Sequence, residues 1–140
     1  MAIIPSCPGV EVEVIVNRSR QPLHEYEDNN SNTPPPPNTI TKYIEAKSGA
    51  EFAIHLLFTY GYRYPVGHIE ELIKLDGEPV ESYIIIPADF FHLFKHFVDG
   101  QCAQVGDYVV LQKFRFNQLS IGKSRHLASR ETLSLCTQNE

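Results

Sequence analysis

His92 and His96 stand four residues apart, the spacing at which one helix face would offer both imidazoles to a metal ion. A third ligand would have to come from Cys102 or Asp99, and the intervening Leu93-Phe94-Lys95 lacks the glutamate of a zinc-hydrolase helix. Cys102 and Cys136 allow a thiol–imidazole nucleophile on paper, but no local signature marks the electropositive pocket that a thiolate needs. Glu70-Glu71, Glu78 and Glu81 bracket Asp76-Gly77. Paired carboxylates run acid–base chemistry inside a cleft, whereas beside a hairpin tip they make a solvated acidic rim. The nucleophile-elbow, P-loop and dinucleotide fingerprints do not occur. The expectation is a protein that is not an enzyme and uses no cofactor or metal. The alternative is a metal-dependent or hydrolytic enzyme built on His92 and His96.

Two groups of residues suit binding instead. Tyr60, Tyr62 and Tyr64 with Arg63 combine broad, rigid contact area with a hydrogen-bonding cation, a composition enriched at interfaces. The plainer role for alternate tyrosines is to cover one end of a sheet. Lys113 and Arg115 alternate with Phe114 and Phe116, so the cations point outward if the phenylalanines point inward. With Lys123, Arg125 and Arg130 they would form a basic stripe for an acidic partner, or simply a solvated face. Pro34 to Pro37 spell a minimal polyproline ligand without the usual flanking arginine, which reads as a spacer.

These residues must be positioned by strands. Phe52, Ile54, Leu56, Phe58 and Tyr60 fall on every second position from Glu51 to Tyr60, the repeat of one strand face. Val10, Val12, Val14 and Val16 repeat it, and so do Tyr108, Val110, Gln112, Phe114 and Phe116. Thr39 to Ala46 is β-branched and aromatic and forms a hairpin with Glu51 to Tyr60 through Ser48-Gly49. His68 to Leu75 fits two helical turns through Ile69, Leu72 and Ile73 or a strand face through Ile69, Ile73 and Leu75, and the type I′ hairpin signal Asp76-Gly77 favours a strand joined to Val80–Ile86. Ala88 to Phe97 changes period, with Phe90, Leu93, Phe94 and Phe97 at helical spacing between Pro87 and Asp99-Gly100. The spacing predicts a short amphipathic helix there, which would carry His92 and His96.

Size and charge set outer bounds. A chain of 140 residues fits one domain able to bury a core without disulfides. The net charge of −5 argues against general nucleic-acid affinity, which requires a basic face. That charge is uneven: Met1 to Asp107 holds 15 acidic against 7 basic residues, while the remainder holds 5 basic against 2 acidic. Three scattered cysteines fit reduced thiols in the cytoplasm or nucleus. The N-terminal stretch lacks the charge and apolar run of a signal peptide, and no apolar run approaches the ~20 residues of a membrane helix. Residues 1–121 read as the folded domain, with a mobile proline-rich loop at 17–38, and 122–140 as a polar tail, disordered or atypical.

Several phrases resemble an uncharacterised fungal family described only as a domain of unknown function. They are Pro8-Gly9-Val10-Glu11-Val12, Pro22-Leu23 with Glu25-Tyr26, Thr41 to Ala46 leading to Ser48 to Phe52, Leu75-Asp76-Gly77, and Gln112 to Phe116. The resemblance covers roughly Met1 to Ile121. It implies a β-sandwich-type module with no assigned reaction, cofactor or ligand, and therefore no catalytic residues to carry over. The chain departs where the polar 124–140 replaces a further apolar strand, and where the prolines replace an acidic loop.

The expected architecture is an all-β antiparallel sandwich of about seven strands with one short helix. The expected function is a non-enzymatic intracellular interaction module with an unknown protein partner, touching it through Tyr60, Tyr62, Arg63 and Tyr64 or through Lys113 and Arg115. Membrane association is not expected and nucleic acid is the lesser alternative, through the basic C-terminal stripe. A strand edge left open by the atypical tail would permit pairing with a second copy.

Overall fold

The computed structural model describes residues 1–3, 7–16, 20–27, 36–64, 66–91 and 94–117. Among them run eleven strands: β1 (Ala2–Ile3), β2 (Val10–Val16), β3 (Gln21–Pro22), β4 (Glu25–Glu27), β5 (Lys42–Ile44), β6 (Phe52–Phe58), β7 (Ile69–Leu75), β8 (Glu78–Ile85), β9 (Lys95–Val98), β10 (Gly100–Val105) and β11 (Tyr108–Lys113). All the pairings are antiparallel, and the fold is all-β.

The central sheet follows from the two strongest alternating segments. β2 and β6 pair along their whole length, Val10 opposite Phe58 and Val16 opposite Phe52, so Val10, Val14, Ile54, Leu56 and Phe58 share one buried face. β1 and β3 lie on the outer side of β2, and β9 lies on the far side of β6. The β7–β8 hairpin covers the buried face with Ile69, Ile73 and Ile85, which makes the second layer of the sandwich. Its turn has Asp76 at φ 51° and Gly77 at φ 87°, the double positive φ that a type I′ turn requires.

The neighbour of β6 changes along its length. β9 pairs with it from Ile54 to Leu57, then leaves at Asp99. Residues 114–116 take over: Phe52 N–H donates to the Phe114 carbonyl at 3.1 Å and Phe116 N–H to the Ala50 carbonyl at 3.0 Å. Phe52 therefore sits against both Phe114 and Phe116, with ring centroids at 5.6 and 4.4 Å. Gly100 lies at this junction because a Cβ would stand 2.4 Å from the Gln112 carbonyl oxygen.

Three expectations are corrected. The helix over Ala88 to Phe97 is a 3-10 turn at Pro87–Phe91, after which Lys95–Val98 is a strand. Phe94, His96 and Val98 turn to the covered side while Lys95 and Phe97 are exposed, so a two-residue period lay hidden under the helical spacing. Thr39 to Ala46 does not pair with Glu51 to Tyr60; β5 pairs with β4, Tyr26 opposite Tyr43. Two short strands, Gln21–Pro22 and Glu25–Glu27, also lie inside the stretch read as a loop at 17–38, paired to β2 and β5. The polar tail from residue 118 onward, with Lys123, Arg125, Arg130 and Cys136, lies outside the described residues.

Candidate functional site

The tyrosine loop divides in two. Tyr62 and Tyr64 are drawn into the packing, while Tyr60, 93% exposed, and Arg63 face solvent. Tyr62 packs edge-on to Phe58 with centroids 4.8 Å apart. Its backbone meets Gly9, which holds φ 92° and where a Cβ would come within 2.5 Å of the Tyr62 nitrogen. Burial, helped by neighbouring Cys7 and Tyr64, pushes the Tyr62 phenol up to about 12. The Tyr64 hydroxyl lies 2.9 Å from both the Gly67 and Ile85 carbonyl oxygens, so it can donate to either and ties the loop to β8. Burial and the Asp89 charge push its phenol above the ordinary value as well.

The basic strand face is alternating as expected but electrically quenched. Phe114 and Phe116 are buried, and Lys113 and Arg115 are exposed. Lys113 Nζ pairs with Asp99, and Arg115 Nη2 donates to Glu51 Oε1 at 2.8 Å. Each cation meets a carboxylate of its own domain.

The two histidines of the metal reading do not share a helix. His96 lies on β9, and His92 lies outside the described residues. His96 is instead paired with a carboxylate that local spacing could not reveal. Its Nδ1 is 2.5 Å from Glu71 Oε2 on β7, and Glu71, only 4% exposed, is the buried charged residue among the described residues. The Tyr83 ring sits 4.7 Å from the imidazole. The hydrogen bond to Glu71 raises His96 above its ordinary value; burial opposes this, and the charges of Glu71 and Glu81 add to it. Among the described residues no group of three His, Cys, Asp or Glu side chains is clustered for a metal ion.

Two features carried no sequence signal. The first is a cavity of about 720 Å³ beneath the junction, walled by Val12, Val14, Ile44, Val80, Phe114 and Phe116, with Lys42, Gln101 and Gln112 also on its lining. Glu25 belongs to the same wall: its Oε1 holds the Met1 amine at 2.7 Å, and its Oε2 is buried with no hydrogen-bond partner. The volume and apolar lining suit an apolar group of ligand size. Glu71 and His96 are not on this lining.

The second is the β10–β11 ribbon. Past Gln112 the strand face that buries Phe114 and Phe116 is uncovered, leaving Tyr108 77% exposed. The opposite face is apolar too, with Val109 71% and Leu111 50% exposed. A strand apolar on both faces is the pattern of one covered on both sides.

The family model described as Domain of unknown function (DUF7918) matches residues 9–137. The chain belongs to that family. Neither a curated protein nor a solved structure matches it. The match runs beyond Ile121 to residue 137, so it takes in most of the polar tail. Among the described residues of the DUF7918 chain no helix is long and apolar enough to cross a membrane.

Proposed function

We propose that the domain is a non-enzymatic, intracellular interaction module that binds a protein partner through the β10–β11 ribbon. The observation that carries the reading is the bare apolar surface at Tyr108, Val109 and Leu111, with Val105 at the ribbon tip also exposed. Large apolar side chains left bare on both faces of one ribbon are costly in water and are characteristic of association surfaces. Exposed Tyr60 and Arg63 supply a second, smaller candidate contact. Free Cys7 and exposed Cys102 fit a reducing compartment.

Neither alternative is favoured by a particular observation. Nucleic-acid binding through Lys113 and Arg115 is weakened because both cations already have carboxylate partners. A metal site on His92 and His96 has lost the helix that was to join them.

The test is capture of partners by the immobilised full chain, wild type against Val109→Lys/Leu111→Lys. Both side chains are already solvated, so the fold is retained and its thermal midpoint serves as the control. Loss of captured partners at an unchanged midpoint supports the reading. Retention of the same set rules out the ribbon as the contact surface.

A further inference from the structure

We propose that the occupant of the ribbon is a second copy of this chain, joined edge to edge through β11 about a two-fold axis. The inference rests on the interaction reading above and names its partner.

Backbone geometry identifies the edge. β10 and β11 are joined by a two-residue turn, Gly106-Asp107, with Val105 opposite Tyr108 and Gly100 opposite Lys113. In an antiparallel ladder alternate residues direct both backbone groups to the partner strand. Phe114 N–H donates to the Asp99 carbonyl at 2.9 Å, which places Phe114, and hence Gln112, Val110 and Tyr108, among those facing β10. Val109, Leu111 and Lys113 must direct theirs to the other side. Among the described residues no strand is paired there.

That edge is also unguarded from Tyr108 to Gln112, with Lys113 its one charged residue at the end. Exposed edges are usually protected by charges or proline. β8 carries Glu78, Pro79 and Glu81, and β4 carries Glu25 and Glu27. Tyr108 to Gln112 carries no charge and no proline.

Self-pairing restricts the register. The outward residues are odd-numbered, so a two-fold pairing must set odd against odd. Centring the axis on Val110 puts Val109 opposite the partner's Leu111 and Asp107 opposite the partner's Lys113, each twice. Apolar meets apolar, which cross-strand pairs favour, and the partner's Asp107 comes beside a Lys113 that also holds Asp99 of its own chain, so the two carboxylates share that cation. Centring it on Leu111 would put Val109 against the partner's Lys113, and centring it on Lys113 would oppose two lysines. Because the strands run antiparallel, the buried Phe114 end of one chain lies beside the bare turn end of the other. The bare half of each ribbon thereby gains a neighbour.

The full chain is followed by sedimentation velocity over a concentration series. The expected result is a reversible shift from one chain to two, with no larger species. Asp107→Lys should weaken the dimer by about two- to thirtyfold, the span of two cross-strand charge pairs. Val110→Cys in a Cys102→Ser background should give a disulfide-linked dimer on mild oxidation. A non-hydrogen-bonded pair on the axis sets its Cα atoms about 4.5 Å apart, within disulfide reach. A wild-type chain that stays monomeric at every concentration overturns the proposal, and so does a dimer in which Val110→Cys fails to cross-link. A monomer that still loses foreign partners on Val109→Lys/Leu111→Lys would overturn self-pairing while leaving the interaction reading standing.

Discussion

Truncating His96 should cost stability in a way that depends on pH. His96→Ala leaves Glu71, at 6% side-chain exposure, facing an apolar layer made by Ile69 and Ile73 of its own strand and by the central sheet. Removing one partner of a fully buried ion pair costs roughly 3–5 kcal/mol, and a hydrogen bond to a charged group contributes about 1.5–3 kcal/mol. The His96 side chain is 22% exposed, so water can reach the vacated site and the lower range applies. The sign follows from the raised imidazole. A histidine whose folded value lies above its unfolded one contributes fully below the unfolded value, and that contribution is lost as pH rises through the folded value. Near pH 5.5, about one unit below the free imidazole value of ~6.5, His96→Ala should therefore cost about 2–3 kcal/mol. At a pH above the raised folded value the neutral ring still donates a hydrogen bond, and the cost should fall to about 1 kcal/mol. Urea unfolding of both proteins on either side of the raised imidazole value measures the difference directly, and Glu71→Gln/His96→Ala against Glu71→Gln separates the part carried by the carboxylate. An equal cost at both pH values would refute the charged-pair account. A cost below about 0.5 kcal/mol at either pH would show that Glu71 does not need the imidazole.

Gly9→Ala should destabilise the domain by about 2–4 kcal/mol, because it combines a strained φ with a contact on the Tyr62 backbone that cannot yield. A thermal midpoint within a degree or so of wild type would remove Gly9 from the account of how the tyrosine loop is seated. Alkaline spectrophotometric titration should show a late phenol near 12 that disappears in Tyr62→Phe. The same shift implies that the contribution of protonated Tyr62 to stability persists below about pH 10 and is lost above it, as the unfolded phenol ionises first.

The elements legible in the sequence are those whose side-chain period and turn chemistry agree. β2 and β6 alternate cleanly and pair in full, and Asp76-Gly77 both marks and makes its turn. β9 was misread because Phe90, Leu93, Phe94 and Phe97 satisfy a helical stripe while Phe94, His96 and Val98 satisfy a strand; only the neighbouring β6 edge selects between them. β5 was paired to the wrong strand for a similar reason. Ser48-Gly49 is a competent turn, but the strand bonded near Ala50 is residues 114–116, more than sixty positions away. The candidate sites failed differently. Spacing put His92 with His96, whereas the partner of His96 is Glu71, brought in by the β7–β8 hairpin. Outward alternation of Lys113 and Arg115 was correct, but Asp99 and Glu51 are distant or indirect neighbours in sequence, and their quenching charges could not be seen there.

The Glu71–His96 pair has a position that explains its presence in a layer otherwise held by aliphatic packing. β7 and β8 bond to each other and to no other strand among the described residues, so between its two chain connections the second layer is held to the first by side chains rather than by a backbone ladder. Ile69, Ile73 and Ile85 supply most of that attachment, but apolar contacts are non-directional and would tolerate a shifted hairpin. A bulge between Ile73 and Lys74 already loosens the register of the pair. A hydrogen-bonded charge pair between β7 and β9 satisfies its partners in one alignment only, because any slip strands a buried carboxylate. Replacing both partners, as in Glu71→Leu/His96→Phe, should therefore preserve or raise the urea midpoint. The same variant should speed amide exchange in β7 and β8 relative to β2 and β6, since the hairpin keeps its adhesion and loses its alignment.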